Sequence, residues 1–220
     1  MPSDVDRHHR RSIRLKGYNY AQPGAYFVTV CTHQRAHTFG VVVDGEMRLN
    51  ECGEIVRKEW FRSATIRREM ELFPAEFVVM PNHIHGIVWI VDTDDPGGHH
   101  HTVTPDHVGA HGRAPLPQRR PHSLGSFIAA FKSATTKRIN ALRRTPGAPV
   151  WQRNYYEHII RTEQALDAIR RYIVNNPARW HLDRYNADRI GPDPLAADVW
   201  RSMQADVRTP PTDIDPEGQP

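Results

Sequence analysis

Two histidines one residue apart, His83 and His85, lie in the run from Phe77 to Ile90, which reads as two strands joined at Pro81-Asn82. Side chains alternate sides along a strand, so both imidazoles share one face while Ile84 points into the opposite layer. Such a pair can hold one metal ion. Further along, Tyr172 and Asn176 are four residues apart in Arg171-Tyr172-Ile173-Val174-Asn175-Asn176-Pro177, a spacing that projects both from one helical face. Two imidazoles and one amide oxygen leave positions open on a divalent cation, which can bind a phosphate and stabilise charge as phosphorus is attacked. A phenol can be the attacking group. With a reference pKa near ~10 it must be oriented by the fold and helped by metal or a neighbouring base. Each piece also has a plainer reading: a core or surface histidine pair, a core-edge tyrosine, a helix terminus beside proline.

The elements that must carry these residues follow from periodicity. Ala25 to Thr32 is a strand by its β-branched and aromatic content, and Val41 to Leu49 is a small hairpin around Asp44-Gly45. Ile55, Val56, Trp60 and Phe61 recur at helical spacing, predicting a first helix from Glu54 to about Arg68. A second helix starts at Ser123 as N-cap and runs to about Leu142, with Leu124, Phe127, Ile128, Phe131, Ile139 and Leu142 as its buried stripe. Val150 to Ile160 is extended by composition, with Trp151 as a core residue. Thr162-Glu163 opens a third helix that ends at Asn176, before Pro177, and buries Leu166, Ile169 and Ile173. Residues 92–122, rich in Pro, Gly and His, read as a long loop expected to be mobile, and its triple histidine as linker. The expected organisation is a basic arm over 1–20, one domain over 21–182, and a tail over 183–220 that is untidy after Trp200.

Composition narrows the class. The chain of 220 residues with 39% apolar content suits a single well-cored domain. No apolar run is long enough for a membrane helix, and the N-terminus is charged where a signal peptide would be greasy, so a cytoplasmic, nucleoid-associated protein is expected. Cys31 and Cys52 have no zinc or disulfide spacing and read as free thiols. A net charge of +4 and a pI near 9.3 suggest a polyanionic partner. The bases concentrate in the arm, with Arg14 among them, and on the second helix, where Lys132, Lys137 and Arg138 are candidates for phosphate contact. A solvated helix face and a disordered arm are the plainer alternatives.

Met80-Pro81-Asn82-His83-Ile84-His85-Gly86-Ile87, Ser123-Leu124-Gly125-Ser126-Phe127, Trp151 to Arg161 and Arg171 to Pro177 together resemble the REP-associated tyrosine transposases, among the HUH single-strand transposases and nucleases. The resemblance spans residues about 17 to 182. It implies a ferredoxin-like α+β core, an antiparallel sheet covered by helices. It implies His83, His85 and Asn176 as metal ligands, Tyr172 as the nucleophile forming a 5′-phosphotyrosine link, Mg²⁺ or Mn²⁺ as cofactor, and single-stranded DNA hairpins from repetitive palindromic elements as substrate. Arg153, within the third motif, joins the expected DNA contacts. Imidazole suits softer metals better than Mg²⁺, so Mn²⁺ is expected to support more activity in vitro. Tyr155 and Tyr156 are rival nucleophiles without a metal-ligand partner one turn away, and His158 is either structural or a phosphate contact. A catalytically silent hairpin-binding regulator on the same fold is the alternative function, and both monomer and homodimer are compatible with the sequence.

Overall fold

In the computed structural model, which describes residues 18–92 and 121–207, strand alternation sorts β1 (Gly24–Cys31) and β6 (His83–Ile90) onto two faces. Tyr26, Val28 and Val30 of β1 and Ile84, Val88 and Ile90 of β6 share one hydrophobic cluster, whereas Ala25, Phe27, Ile87 and Trp89 belong to another. The two strands pair antiparallel with Thr29 opposite His85 and Cys31 opposite His83. On the other side of β1 lies β7 (Tyr156–Ile160), and β6 is flanked by β5 (Phe77–Met80) and the two-residue β4 (Met70–Glu71), all antiparallel.

The first face is covered by α1 (Glu51–Ile66) and α2 (Leu124–Arg143), which supply Val56, Trp60, Phe127 and Phe131 to its core. With β1, β5, β6 and β7 as the four main strands and these helices as crossovers, the last strand lies beside the first and the first beside the third. That is the ferredoxin-like order, and the chain is α+β as expected. The second face is covered by α3 (Glu163–Asn175) and α4 (Pro194–Asp206), with Leu166, Ile169, Ile173, Val199 and Met203 buried. A separate hairpin of β2 (Gly40–Val43) and β3 (Glu46–Leu49) turns through Asp44 and Gly45, both at positive φ.

Element ends follow local hydrogen bonding more than apolar period. The Asn50 side chain accepts from the backbone N–H groups of Cys52 and Gly53, so α1 begins at Glu51, earlier than the hydrophobic spacing predicts. Ser123 and Thr162 cap α2 and α3 through Ser126 N–H and Ala165 N–H, as expected. Leu142, expected in the buried stripe, is 43% exposed, and its neighbours Ala141 and Arg143 in the last turn of α2 are exposed too. The extended stretch from 150 becomes a ladder strand only at Tyr156. Trp151 makes a lone bridge to Thr32 and is buried with its Nε1–H donated to Thr135 Oγ1 at 2.8 Å.

The largest departure is the segment after 183, expected to be a tail. Residues 194–206 form α4, capped by Asp193, whose carboxylate accepts from Leu195 N–H. At its far end the buried Asp206 accepts from Arg161 N–H and from His158 Nε2 at 3.0 Å, fastening α4 to β7. His158 is thus part of a structural clasp. The apolar stripe of α4 is short and set among Asp and Pro, which hides it from a compositional reading. The N-terminal arm with Arg14, most of the 92–122 loop and residues from 208 onward lie outside the described residues. Among the described residues no helix is long and apolar enough to cross a membrane.

Gly86, next to His85, faces α1, and a Cβ there would stand 2.6 Å from Trp60 Cζ2 and 3.1 Å from Phe77 Cδ2, in the stacked Trp60–Phe77 pair. Gly86→Ala is expected to destabilise the fold by roughly 1–3 kcal/mol through overpacking, measured as a lowered urea midpoint. An unchanged midpoint would mean that Trp60 moves aside freely.

Candidate active site

His83 and His85 project from β6 toward α3, and both are essentially inaccessible to solvent. Their Nε2 atoms stand 3.0 Å apart. Each Nδ1 is held from behind: His83 Nδ1 lies 2.9 Å from Asn82 Oδ1, and His85 Nδ1 lies 2.8 Å from Thr29 Oγ1 across the strand pair. Asp183, buried in the turn after residues 177–182, places Oδ2 at 3.8 Å from His83 Nε2. The ligand atoms of His83, His85 and Asp183 all lie within 4.8 Å of one another, as a metal ion requires. Asp183 sits just past the boundary drawn from the sequence. Its only signal there is one acid among several in an Asp-rich segment.

Burial pushes the His83 imidazole down to about 3, with Arg35 adding to the effect, and holds His85 well below its ordinary range as well. Both rings are therefore neutral at pH 7, the form that ligates metal. The tautomer of His83 is set by its neighbour. Asn82 donates both Nδ2 hydrogens, to Tyr185 O at 2.8 Å and to Arg35 O at 3.2 Å, which leaves its Oδ1 facing His83 as an acceptor. His83 must then carry its proton on Nδ1 and present a bare Nε2. Thr29 can both donate and accept, so His85 can hydrogen-bond to His83 through Nε2–H or shift its proton to Nδ1 and present a second bare nitrogen. Neighbouring ligands on an octahedral cation with bonds of ~2.1 Å lie about 3.0 Å apart, so the spacing fits a small divalent ion.

Asn176, expected as the third ligand, is buried at the end of α3 and reaches the cluster through Asp183, donating Nδ2–H to Asp183 Oδ2 at 3.1 Å. Its own Oδ1 is buried with no hydrogen-bond partner among the described residues, an unmet acceptor of the kind a cation satisfies. The donor set of two imidazoles, a carboxylate and an amide fits a divalent metal, and the carboxylate supplies the hard oxygen that the histidines lack.

Tyr172 faces this cluster from α3, its ring centre 5.0 Å from that of His85. It is 7% exposed, and burial, reinforced by Asp183 and Tyr185, raises its phenol well above the ordinary range, with Arg184 acting in the opposite sense. Tyr172, His85, Tyr156 and Arg184 line a narrow cavity roofed by Val199, Trp200 and Met203 of α4. Tyr156 packs against Trp200 and Phe27, and Tyr155 packs against the core of the other face.

Beside the site runs a groove of about 1630 Å³ between α2 and residues 146–157, ending at Thr29, Arg35 and Tyr185. Lys137 and Arg153, expected from the sequence as DNA contacts, line it and are exposed. Lys132 also borders it, with its ammonium donating to the carbonyls of Gln152 and Arg153. Arg138 points the other way, to Glu59 of α1 at 3.1 Å, and is not part of the groove. Arg35, Asp183, Arg184 and Tyr185 are the groups that the sequence reading missed.

An uncharacterized protein of Haemophilus influenzae is 38% identical over 183 residues, which cover 82% of this chain and 95% of that protein. The two chains belong to one family. No family model matches the sequence. Among solved structures, a REP-associated tyrosine transposase bound to a REP hairpin aligns at a TM-score of 0.46 and 18% identity, covering 76% of this chain and 74% of that one. A Deinococcus radiodurans protein provisionally assigned as a transposase aligns at 0.38 and 21%, covering 74% and 95%.

The neutral, buried histidines give a stability signature. A histidine whose folded-state pKa lies below its unfolded value leaves the unfolded chain to take up protons that the native state refuses, so stability falls as pH drops from about 6.5 toward 3. In EDTA the unfolding free energy from urea melts should decline through this window, and His83→Gln should flatten the decline by up to about 1.4 kcal/mol per pH unit. Parallel curves for the two proteins would contradict burial of a neutral imidazole.

Proposed function

We propose that this protein is a metal-dependent single-stranded DNA endonuclease and strand transferase of the REP-associated tyrosine transposase type, acting on hairpin-forming repeats. The observation that carries the reading is the meeting of Tyr172 with His85 beside the His83–His85–Asp183 cluster. A cation-ready cluster and a phenol on facing elements are what transesterification at phosphorus needs. His83, His85 and Asp183, with Asn176 adjoining, would hold Mg²⁺ or Mn²⁺. The bound ion would neutralise charge on the scissile phosphate and favour loss of the phenolic proton.

In the proposed step Tyr172 Oη bonds to phosphorus as the bond from phosphorus to the 3′ oxygen breaks. The phenolic proton passes, by way of solvent, to the departing 3′ oxygen. The product is a 5′-phosphotyrosine and a free 3′-hydroxyl. Attack on that linkage by another 3′-hydroxyl reverses the exchange and transfers the strand. Burial of Tyr172 limits access by water, which favours resealing over hydrolysis. Hairpin DNA is assigned as partner on the motif resemblance, with the groove and its Lys137 and Arg153 as the surface for the unpaired strand.

Wild type and Tyr172→Phe should be incubated with labelled hairpin oligonucleotides drawn from repeats near the gene, with Mn²⁺, and run on a denaturing gel. The expected result is a protein-linked DNA band that requires metal and is absent from the Phe variant. Cleavage without a linked band in both proteins would indicate hydrolysis by water, and binding without cleavage a silent hairpin-binding regulator; either would overturn the proposal. Because the attacking species is the phenolate, and an ordinary phenol has a pKa of ~10, adduct formation in single turnover should rise with pH between about 6 and 9. A flat profile would count against phenolate attack.

A further inference from the structure

Cationic side chains beside a metal can hold phosphate oxygens at a phosphodiester, and two of the residues first suspected of that role are engaged elsewhere. Lys132 is turned to two carbonyls and Arg138 to Glu59. Two other cations stand at the lip of the site. Arg35 Cζ and Arg184 Cζ lie 5.4 Å and 5.3 Å from the centre of the Tyr185 ring, and that ring is 4.6 Å from His83. Both arginines are exposed, and neither joins an ion pair among the described residues. A guanidinium held over an aromatic ring keeps its N–H edge available for an oxyanion.

The backbone is built to hold them there. Gln34 and Arg35 both have left-handed φ, 53° and 56°, which costs non-glycine residues about 1 kcal/mol or more each. The strained turn is fixed by Arg35 N–H donating to Thr32 O, and by Asn82 Nδ2 donating to Arg35 O. The same amide donates to Tyr185 O, and its oxygen accepts from His83. One buried side chain therefore ties Arg35, the Arg184–Tyr185 segment and a metal-ligand candidate into a single frame. Arg184 lines the cavity that contains Tyr172 and His85, Arg35 lines the groove, and Tyr185 borders both.

We propose that Arg35 and Arg184 form a clamp for two consecutive phosphates of a single-stranded nucleic acid, Arg184 on the phosphate presented to Tyr172 and Arg35 on its neighbour in the groove. Assignment of the scissile phosphate to Arg184 rests on the function proposed above; the clamp as a binding site does not.

The test has a binding arm and a rate arm. In a Tyr172→Phe background, anisotropy of a labelled oligothymidylate is followed against salt for Arg35→Gln, Arg184→Gln and the parent, with thermal melts to verify folding. Each substitution should weaken binding roughly tenfold and lower the slope of log affinity against log salt by about 0.7. With Tyr172 intact, Arg184→Gln should slow adduct formation about 100-fold at saturating hairpin DNA. Arg35→Gln should mainly raise the DNA concentration needed for half-saturation. Arg184→Lys should recover binding more than rate, because a point charge lacks the fork of donors. Unchanged salt slopes in both folded variants overturn the clamp, whether or not wild type forms an adduct. Lowered slopes with no adduct in wild type support the clamp and reject the transesterification reading.

Discussion

The constraint on which the site depends is the opposition of two buried imidazole nitrogens 3.0 Å apart, one of which is bare by necessity. Asn82 cannot turn its amide without losing two carbonyl partners, so His83 cannot carry its proton on Nε2. In a solvent-free layer, protonating either ring is unfavourable, and His83 is held at about 3. One N–H shared between the rings reconciles the pair, and Thr29, which can donate or accept, would let His85 release that nitrogen to a bound cation. The two imidazoles are thus kept neutral, buried and convergent beside the Asp183 carboxylate, a preorganised arrangement that a bound cation would stabilise.

The fold supplies this geometry through register and anchoring. The pairing of Thr29 with His85 comes directly from the β1–β6 ladder, and a slip of one residue would turn both histidines toward α1 and α2. Tyr172 reaches the pair because α3 is fastened to the sheet side by Arg170, which bonds Glu76, whose other carboxylate oxygen accepts from Trp89 Nε1 on β6. The clasp of Asp206 with His158 and Arg161 holds α4 over the far side of the tyrosine. Helix placement on this face is therefore set by buried polar contacts as much as by apolar packing. That rigidity suits the proposed reaction, in which a phenol must be aimed at one phosphorus.

Period-two and period-four spacing made much of this legible. His83 and His85 share a face because strands alternate, and Tyr172 and Asn176 lie one turn apart on the buried side of α3 because helices repeat. The core stripe of α2 was visible except at Leu142, in a last turn where residues 141–143 are all exposed and spacing alone does not mark them as such. What stayed hidden came from contacts between distant segments. Asp183 enters the cluster only because a turn after α3 folds back onto Asn82, and nothing in an Asp- and Pro-rich stretch marks it. The pairing of Arg138 with Glu59, and of Lys132 with backbone carbonyls, likewise depends on neighbours that a charge count cannot see. Arg35 is positioned by a left-handed turn that no glycine announces.

The most direct test of the account is to load the protein with Mn²⁺ and record its electron spin echo modulation, which reports nitrogen nuclei bonded to the metal. The account predicts coupling to two imidazole nitrogens, one lost in His83→Gln and the other in His85→Gln, with Asp183→Asn weakening the bound-metal signal while leaving both couplings. Mn²⁺ that binds without nitrogen coupling, or couplings unaffected by either histidine substitution, would contradict the claim that this buried pair is a metal site.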